Sequence, residues 1–141
     1  GSMKAWLDHY GYRWMLHRPN PDMFSKQGVC ISTAAGAGTK WTNKDMADSM
    51  FFWGMGKIYR YGTAVHAINY KSISPEKMAE IEKATDKLAE KIRKNYGHVK
   101  PVLKTKTYFE VMRKLVKSGW NEVDVAYWKE HGWTEKARPW R

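Results

Sequence analysis

A chain of 141 residues predicts one domain with one core and excludes an enzyme built from separate cofactor and substrate modules. Twenty-five Lys and Arg oppose 14 Asp and Glu, and the formal net charge of +11 favours encounter with anionic partners: nucleic acid, nucleotide cofactors or acidic membranes. With 43% hydrophobic residues, eight Trp and eight Tyr it is not a disordered basic tail, and its one cysteine, Cys30, excludes an intrachain disulfide and points to a reducing, cytoplasmic setting. Gly1-Ser2 ahead of Met3 reads as the remnant of a cleaved tag, which leaves 3–141 as the domain. The longest apolar run, Met50-Phe51-Phe52-Trp53, falls far short of the ~20 residues a spanning helix needs, so no membrane partner is expected.

Ala5, Trp6, Tyr10 and Trp14 form a rough helical stripe that Gly11 interrupts and His17-Arg18-Pro19-Asn20-Pro21 ends, predicting a short helix and then a loop. Gln27 to Ser32, apolar and β-branched at its centre, predicts a buried strand of parallel-sheet type. Thr33 to Thr39 carries no large side chain and reads as a loop with open backbone. A helix capped by Thr42 or Asn43 follows, with Met46, Met50 and Trp53 as its apolar face and Gly54 and Gly56 as its stop. A second strand is placed at Ala64 to Asn69, after a turn at Gly62.

The clearest helix runs from Ser74 to about Tyr96: Ser74 caps it, Pro75 sits in its first turn, Met78, Ile81, Leu88 and Ile92 face the core, and Gly97 ends it. Its early glutamates and late basic residues suit the helix dipole. Another helix spans Lys104 to Ser118, with Tyr108, Met112 and Leu115 on one side and Gly119 at its end. Asn121 caps a last short helix containing Val123, Tyr127 and Trp128 and closed by Gly132.

Strand, small-residue loop, helix, strand, helix is the order of an α/β fold with parallel pairing. Two strands are few for a parallel sheet, so either several chains contribute strands or part of the usual fold is missing. The candidate site is the segment Ser32, Thr33, Ala34, Ala35, Gly36, Ala37 and Gly38, because a loop after a parallel strand lies where α/β sheets bind ligands. It fits neither a Walker loop nor a dinucleotide fingerprint, since no Gly-Lys-Ser/Thr follows and Trp41 stands where a third glycine is needed. A ligand loop and a tight turn that merely clears the next helix are equally compatible with it.

The five histidines show no metal-ligand spacing, and no metal is assigned. His66, placed on the second strand, reads as a structural histidine, and Cys30 as a small core residue. Lys104, Lys106, Arg113, Lys114 and Lys117 make a basic helix whose simplest role is a solvated face over a core stripe. Trp120, Trp128, Trp133 and Trp140 read as anchors pinning terminal segments to the core.

Met3-Lys4-Ala5-Trp6-Leu7-Asp8-His9, His17-Arg18-Pro19 and Gly28-Val29-Cys30-Ile31-Ser32-Thr33-Ala34-Ala35-Gly36-Ala37-Gly38 together resemble the flavodoxin-like NAD(P)H-dependent oxidoreductases, the FMN and quinone reductase group. Trp53-Gly54-Met55-Gly56, Tyr61-Gly62, Gly132-Trp133 and Arg138-Pro139-Trp140 are similar to a clostridial-type branch of that group. The resemblance spans nearly the whole chain but covers only the C-terminal part of the family's domain, with no counterpart to the phosphate loop after the family's first strand.

It implies a partial flavodoxin-like three-layer fold, FMN as cofactor, NAD(P)H as electron donor and a small-molecule electron acceptor. It also implies that Ser32 to Gly38 lie against the isoalloxazine ring, their backbone bonded to its pyrimidine edge. No side chain is assigned a catalytic role. The shortage of strands adds an expectation of self-association, two copies forming a homodimer by pairing edges or swapping elements. The competing reading is a non-enzymatic basic oligomer that binds anionic partners. Lysines spread over every predicted helix, rather than gathered on one face, weigh against nucleic acid.

Overall fold

Gln27–Ala34 forms β1 and Lys57–Ala64 forms β2 in a computed structural model that describes Gly1–Arg141, and the two pair in parallel from Gln27 opposite Lys57 to Ala34 opposite Ala64. Helix α2, Thr39–Phe52, connects them. The period-two alternation sends Gly28, Cys30, Ser32 and their partners Ile58, Arg60 and Gly62 to one face. That face takes α2, because two glycines leave room for it: Gly28 lies under the sulfurs of Met50 and Met55, and Gly62 lies against Thr39 and Asn43.

The second strand therefore precedes its expected place at 64–69, and Gly62 is not a turn. Tyr59, Tyr61 and Thr63 supply the β-favouring alternation, and Gly62 between them is the point of closest helix–sheet approach. Thr33 and Ala34, read as loop, belong to β1. Helix α2 starts at Thr39, three or four residues early, because Gly38 enters it at φ 106° without any side-chain cap.

Helix α1, Ser2–His9, is followed by a 3-10 turn at Gly11–Arg13 and buries Leu7 with Cys30, Met46 and Trp53. Helix α3, Pro75–Asn95, starts where Ser74 accepts a hydrogen bond from the Lys77 N–H, as its sequence predicts. None of its residues is fully buried. It is tied to the sheet through polar contacts: Gln27 Nε2 donates to the Ile92 carbonyl at 3.0 Å, the Tyr59 hydroxyl donates to Gln27 Oε1 at 2.8 Å, and Asn95 Nδ2 donates to the Tyr59 hydroxyl at 3.2 Å.

The main core lies at the other end of the chain. Helix α4, Leu103–Lys117, buries Thr105, Phe109 and Val116 rather than the expected Tyr108–Leu115 side, and Leu115 is 44% exposed. The stripe 105, 109, 112, 116 is as regular as the one chosen from sequence; what selects it is Phe109, which stacks on Trp128 at 4.6 Å between centroids and meets Trp133 and Trp140 edge-on. Helix α5, Glu122–Glu130, is capped by Asn121, whose side chain accepts from the N–H groups of Val123 and Asp124. Of the four C-terminal tryptophans three are anchors, whereas Trp120 is half exposed beside the His17 ring.

Helix α5 also clamps the loop that leads from α1 to β1. Trp128 Nε1 donates to the His17 carbonyl at 2.6 Å, and the Tyr127 hydroxyl donates to the Pro19 carbonyl at 2.8 Å. The buried Asp124 carboxylate meets His17 Nδ1 at 2.8 Å and Arg18 Nε at 3.4 Å. The tail is fixed by Arg138, which donates to both oxygens of Glu110, while Arg113 donates to Glu110 at 2.8 Å. Partial burial pushes the Glu110 carboxyl up, but the hydrogen bonds and charges of Arg138 and Arg113 outweigh it and hold the group below its ordinary value.

The architecture is thus mixed α/β, five helices around a two-stranded parallel sheet. No helix is long and apolar enough to cross a membrane. One edge of β1 is unpaired, and on the face turned away from α2, Ile31 is 57% exposed.

Candidate functional site

The carboxyl ends of β1 and β2 converge on the loop Ala35–Gly38, whose four residues are all exposed. Two bonds tie the following segment to it: Val65 N–H donates to the Ala34 carbonyl at 2.9 Å, and His66 N–H donates to the Ala35 carbonyl at 3.2 Å. His66 lies beyond β2 rather than on it, at φ 51°, the one non-glycine residue with positive φ. Its Cε1 sits 3.8 Å from where a Cβ on Gly36 would be, so the ring borders the loop. A left-handed non-glycine residue at the mouth of a candidate site is local strain of a kind that collects at functional positions.

The seven residues singled out from sequence divide. Ser32 is half-buried and donates from Oγ to the Thr39 carbonyl at 3.3 Å, so its hydroxyl is used in joining strand to helix. Thr33 is exposed on the opposite face of the sheet from α2, and Ala34 is the last paired strand residue. Ala35, Gly36, Ala37 and Gly38 remain as open backbone. The backbone N–H groups from Gly36 through Trp41 have no acceptor within the chain, because Gly38 supplies no side-chain cap and the helix's own bonds begin at Thr42 N–H to the Gly38 carbonyl, 3.2 Å. Six consecutive free donors at a helix start make a surface of positive partial charge.

Beside this loop, a cleft of about 270 Å³ is lined by Thr39, Lys40, Asn43, Arg60 and Gly62, with no apolar and no acidic side chain. Sequence reading missed Lys40 and Arg60. They are brought together only by the strand register, which puts Arg60 opposite Cys30 on the α2 face. A second cleft of about 310 Å³, aromatic in character and including Trp6, Tyr10 and Trp53, lies near the opposite, amino-terminal end of the sheet and away from the loop.

Cys30 is buried, with Sγ 3.6 Å from Met50 Sδ; burial pushes its thiol up, against a smaller lowering by Arg60. Folding therefore favours the neutral thiol, and the reactive thiolate is suppressed at neutral pH. Labelling of Cys30 by a disulfide reagent is expected to follow unfolding: slow in buffer, complete in denaturant. Fast stoichiometric labelling of the native chain would contradict this burial. The basic residues of α4 are partly engaged in the fold, Lys104 over the Phe51 ring at 4.5 Å and Arg113 on Glu110. Compared with known protein families, with curated proteins and with solved structures, the chain matches none.

Proposed function

We propose that the chain acts in a flavodoxin-like NAD(P)H-dependent oxidoreductase of the FMN or quinone reductase type, with Ala35–Gly38 against the pyrimidine edge of the flavin ring. The observation that carries this reading is the run of six acceptor-free N–H groups, Gly36 through Trp41, at the carboxyl end of a parallel strand pair. FMN, when bound, supplies two-electron transfer between a nicotinamide and a small-molecule acceptor. The chain's part is to present donors to a carbonyl and ring-nitrogen edge, to favour negative charge there through the start of α2, and to keep bulk away from a flat ligand through Gly36 and two alanines. No side chain is assigned to proton transfer.

Self-association belongs to the same proposal. The unpaired edge of β1, eight residues long, and the exposed Ile31 beside it suit a second copy paired edge to edge, which would extend the sheet. The test is a titration with FMN read by tryptophan fluorescence, with mass measured by light scattering on the same sample. Trp41, 66% exposed in the first turn of α2, is the expected reporter. Saturable quenching at micromolar FMN by a dimer is the expected result. A monomer whose fluorescence falls only linearly with added FMN would remove both the flavin and the dimer from this reading.

A further inference from the structure

The cleft between α2 and β2 is electrostatically incomplete. Lys40 and Arg60 both line it, and neither has a carboxylate within 4.0 Å anywhere in the fold. Thr39 Oγ1 and the first-turn N–H groups of Thr39 and Lys40 have no acceptor. Beneath them lies Asn43, only 3% exposed, whose Oδ1 is buried without any partner. A buried amide with an unanswered oxygen is costly, and it marks the wall of this polar cleft as a place where the fold leaves its own polar groups unsatisfied.

We propose that this cleft binds a phosphate group. Two unpaired cations, a hydroxyl and a helix start select an oxyanion. A phosphate or phosphomonoester fits: near neutral pH it carries a charge of about −1.5 to −2 and three strong acceptor oxygens, enough to meet both cations and the free N–H groups together. A carboxylate brings one charge and two oxygens, fewer than the donors present. The cleft flanks α2 on its β2 side, and the inference does not rest on the flavin reading.

The experiment is a titration of the folded chain with inorganic phosphate at constant ionic strength, followed by amide chemical shifts. Saturable shifts confined to Thr39–Asn43 and Gly62, with Kd on the order of 1 mM, are expected. Arg60→Gln and Lys40→Gln alter exposed side chains, so both variants keep the fold, and each is expected to weaken binding by about tenfold. Sulfate, a tetrahedral dianion that suits the same donors, is expected to displace phosphate competitively, and failure to compete would overturn the site. Adenosine 5′-monophosphate separates the two sources of the group: affinity equal to or above that of inorganic phosphate assigns a nucleotide, and loss of affinity assigns free phosphate. Shifts scattered over the exposed lysines without saturation, or full binding by Arg60→Gln, would overturn the site. None of these readouts involves FMN, so a negative flavin titration leaves them standing, and the reverse holds too.

Discussion

Trp128→Ala is expected to lower the unfolding free energy by about 3–5 kcal/mol from packing alone, a large part of the roughly 5–15 kcal/mol that holds a domain of this size. Trp128 is fully buried, stacked on Phe109 and edge-on to Trp133, so its removal opens a cavity in the middle of the larger core cluster. The indole N–H also holds the His17 carbonyl, and losing it costs about 1 kcal/mol more and frees the loop toward β1. Trp120→Ala is the internal comparison. That ring is half exposed beside His17, and its truncation is expected to change stability by only about 0.5 kcal/mol. Urea unfolding followed by far-UV circular dichroism distinguishes the pair, and similar midpoints for the two variants would show that the aromatic cluster does not carry the fold.

The contrast between these two tryptophans marks how far the sequence could be read. Both stand near a helix signal, Trp120 just before the Asn121 cap of α5 and Trp128 ahead of its Gly132 stop, and both look equally suited to anchoring; burial was decided by Phe109, which no local pattern connects to residue 128. Caps and stops were legible because they are local chemistry. Ser74 and Asn121 accept from the N–H groups two or three positions on, and Gly54, Gly97, Gly119 and Gly132 all take positive φ at or just beyond helix ends. The face of α4 was not legible, since stripes through 108–115 and 105–116 are both regular and only tertiary partners choose between them.

Glycine was misread where its reason lay across the fold. At Gly62 the residue reads as a turn, and the actual cause is a helix lying on the strand through Thr39 and Asn43, 23 and 19 residues earlier in sequence. The same gap hid the cleft. Asn43 was noticed as a possible cap, and Lys40 and Arg60 were not noticed, because a site assembled by strand register has no linear motif. The loop Ala35–Gly38, by contrast, was visible from composition alone, since a run of small residues after an apolar strand has few other uses. Its expected extent, Thr33 to Thr39, was too long by Thr33 and Ala34, which the pairing with Thr63 and Ala64 draws into the sheet, and by Thr39, which opens α2.

Gly62→Val sets strand propensity against contact geometry, and the distances decide it. A β-branched residue in place of glycine contributes up to about 1 kcal/mol in a strand, and fixing a freer backbone adds roughly 0.5–1 kcal/mol. Against this, the Cβ alone would stand 2.6 Å from Thr39 Cβ, 2.7 Å from Thr39 Oγ1 and 3.0 Å from Asn43 Nδ2, before either methyl of valine is placed. Thr39 opens α2 and Asn43 is the next turn, so neither can yield by rotating a long side chain; the start of the helix must lift from the sheet. Overpacking of this kind costs about 1–3 kcal/mol, and two further methyls put it at the upper end. The net expectation is a modest loss, about 1 kcal/mol and a few degrees in Tm, with a much larger effect on the site. Lifting α2 separates Lys40 from Arg60 and re-aims the free N–H groups from Gly36 to Trp41, so phosphate-dependent shifts should weaken by more than tenfold while the fluorescence of the buried Trp128 cluster stays native. Gly62→Ala, without the methyls, should fall between. If Gly62→Val kept both its stability and its phosphate shifts, α2 would not lie on Gly62 as closely as these distances require, and the cleft would lose its wall.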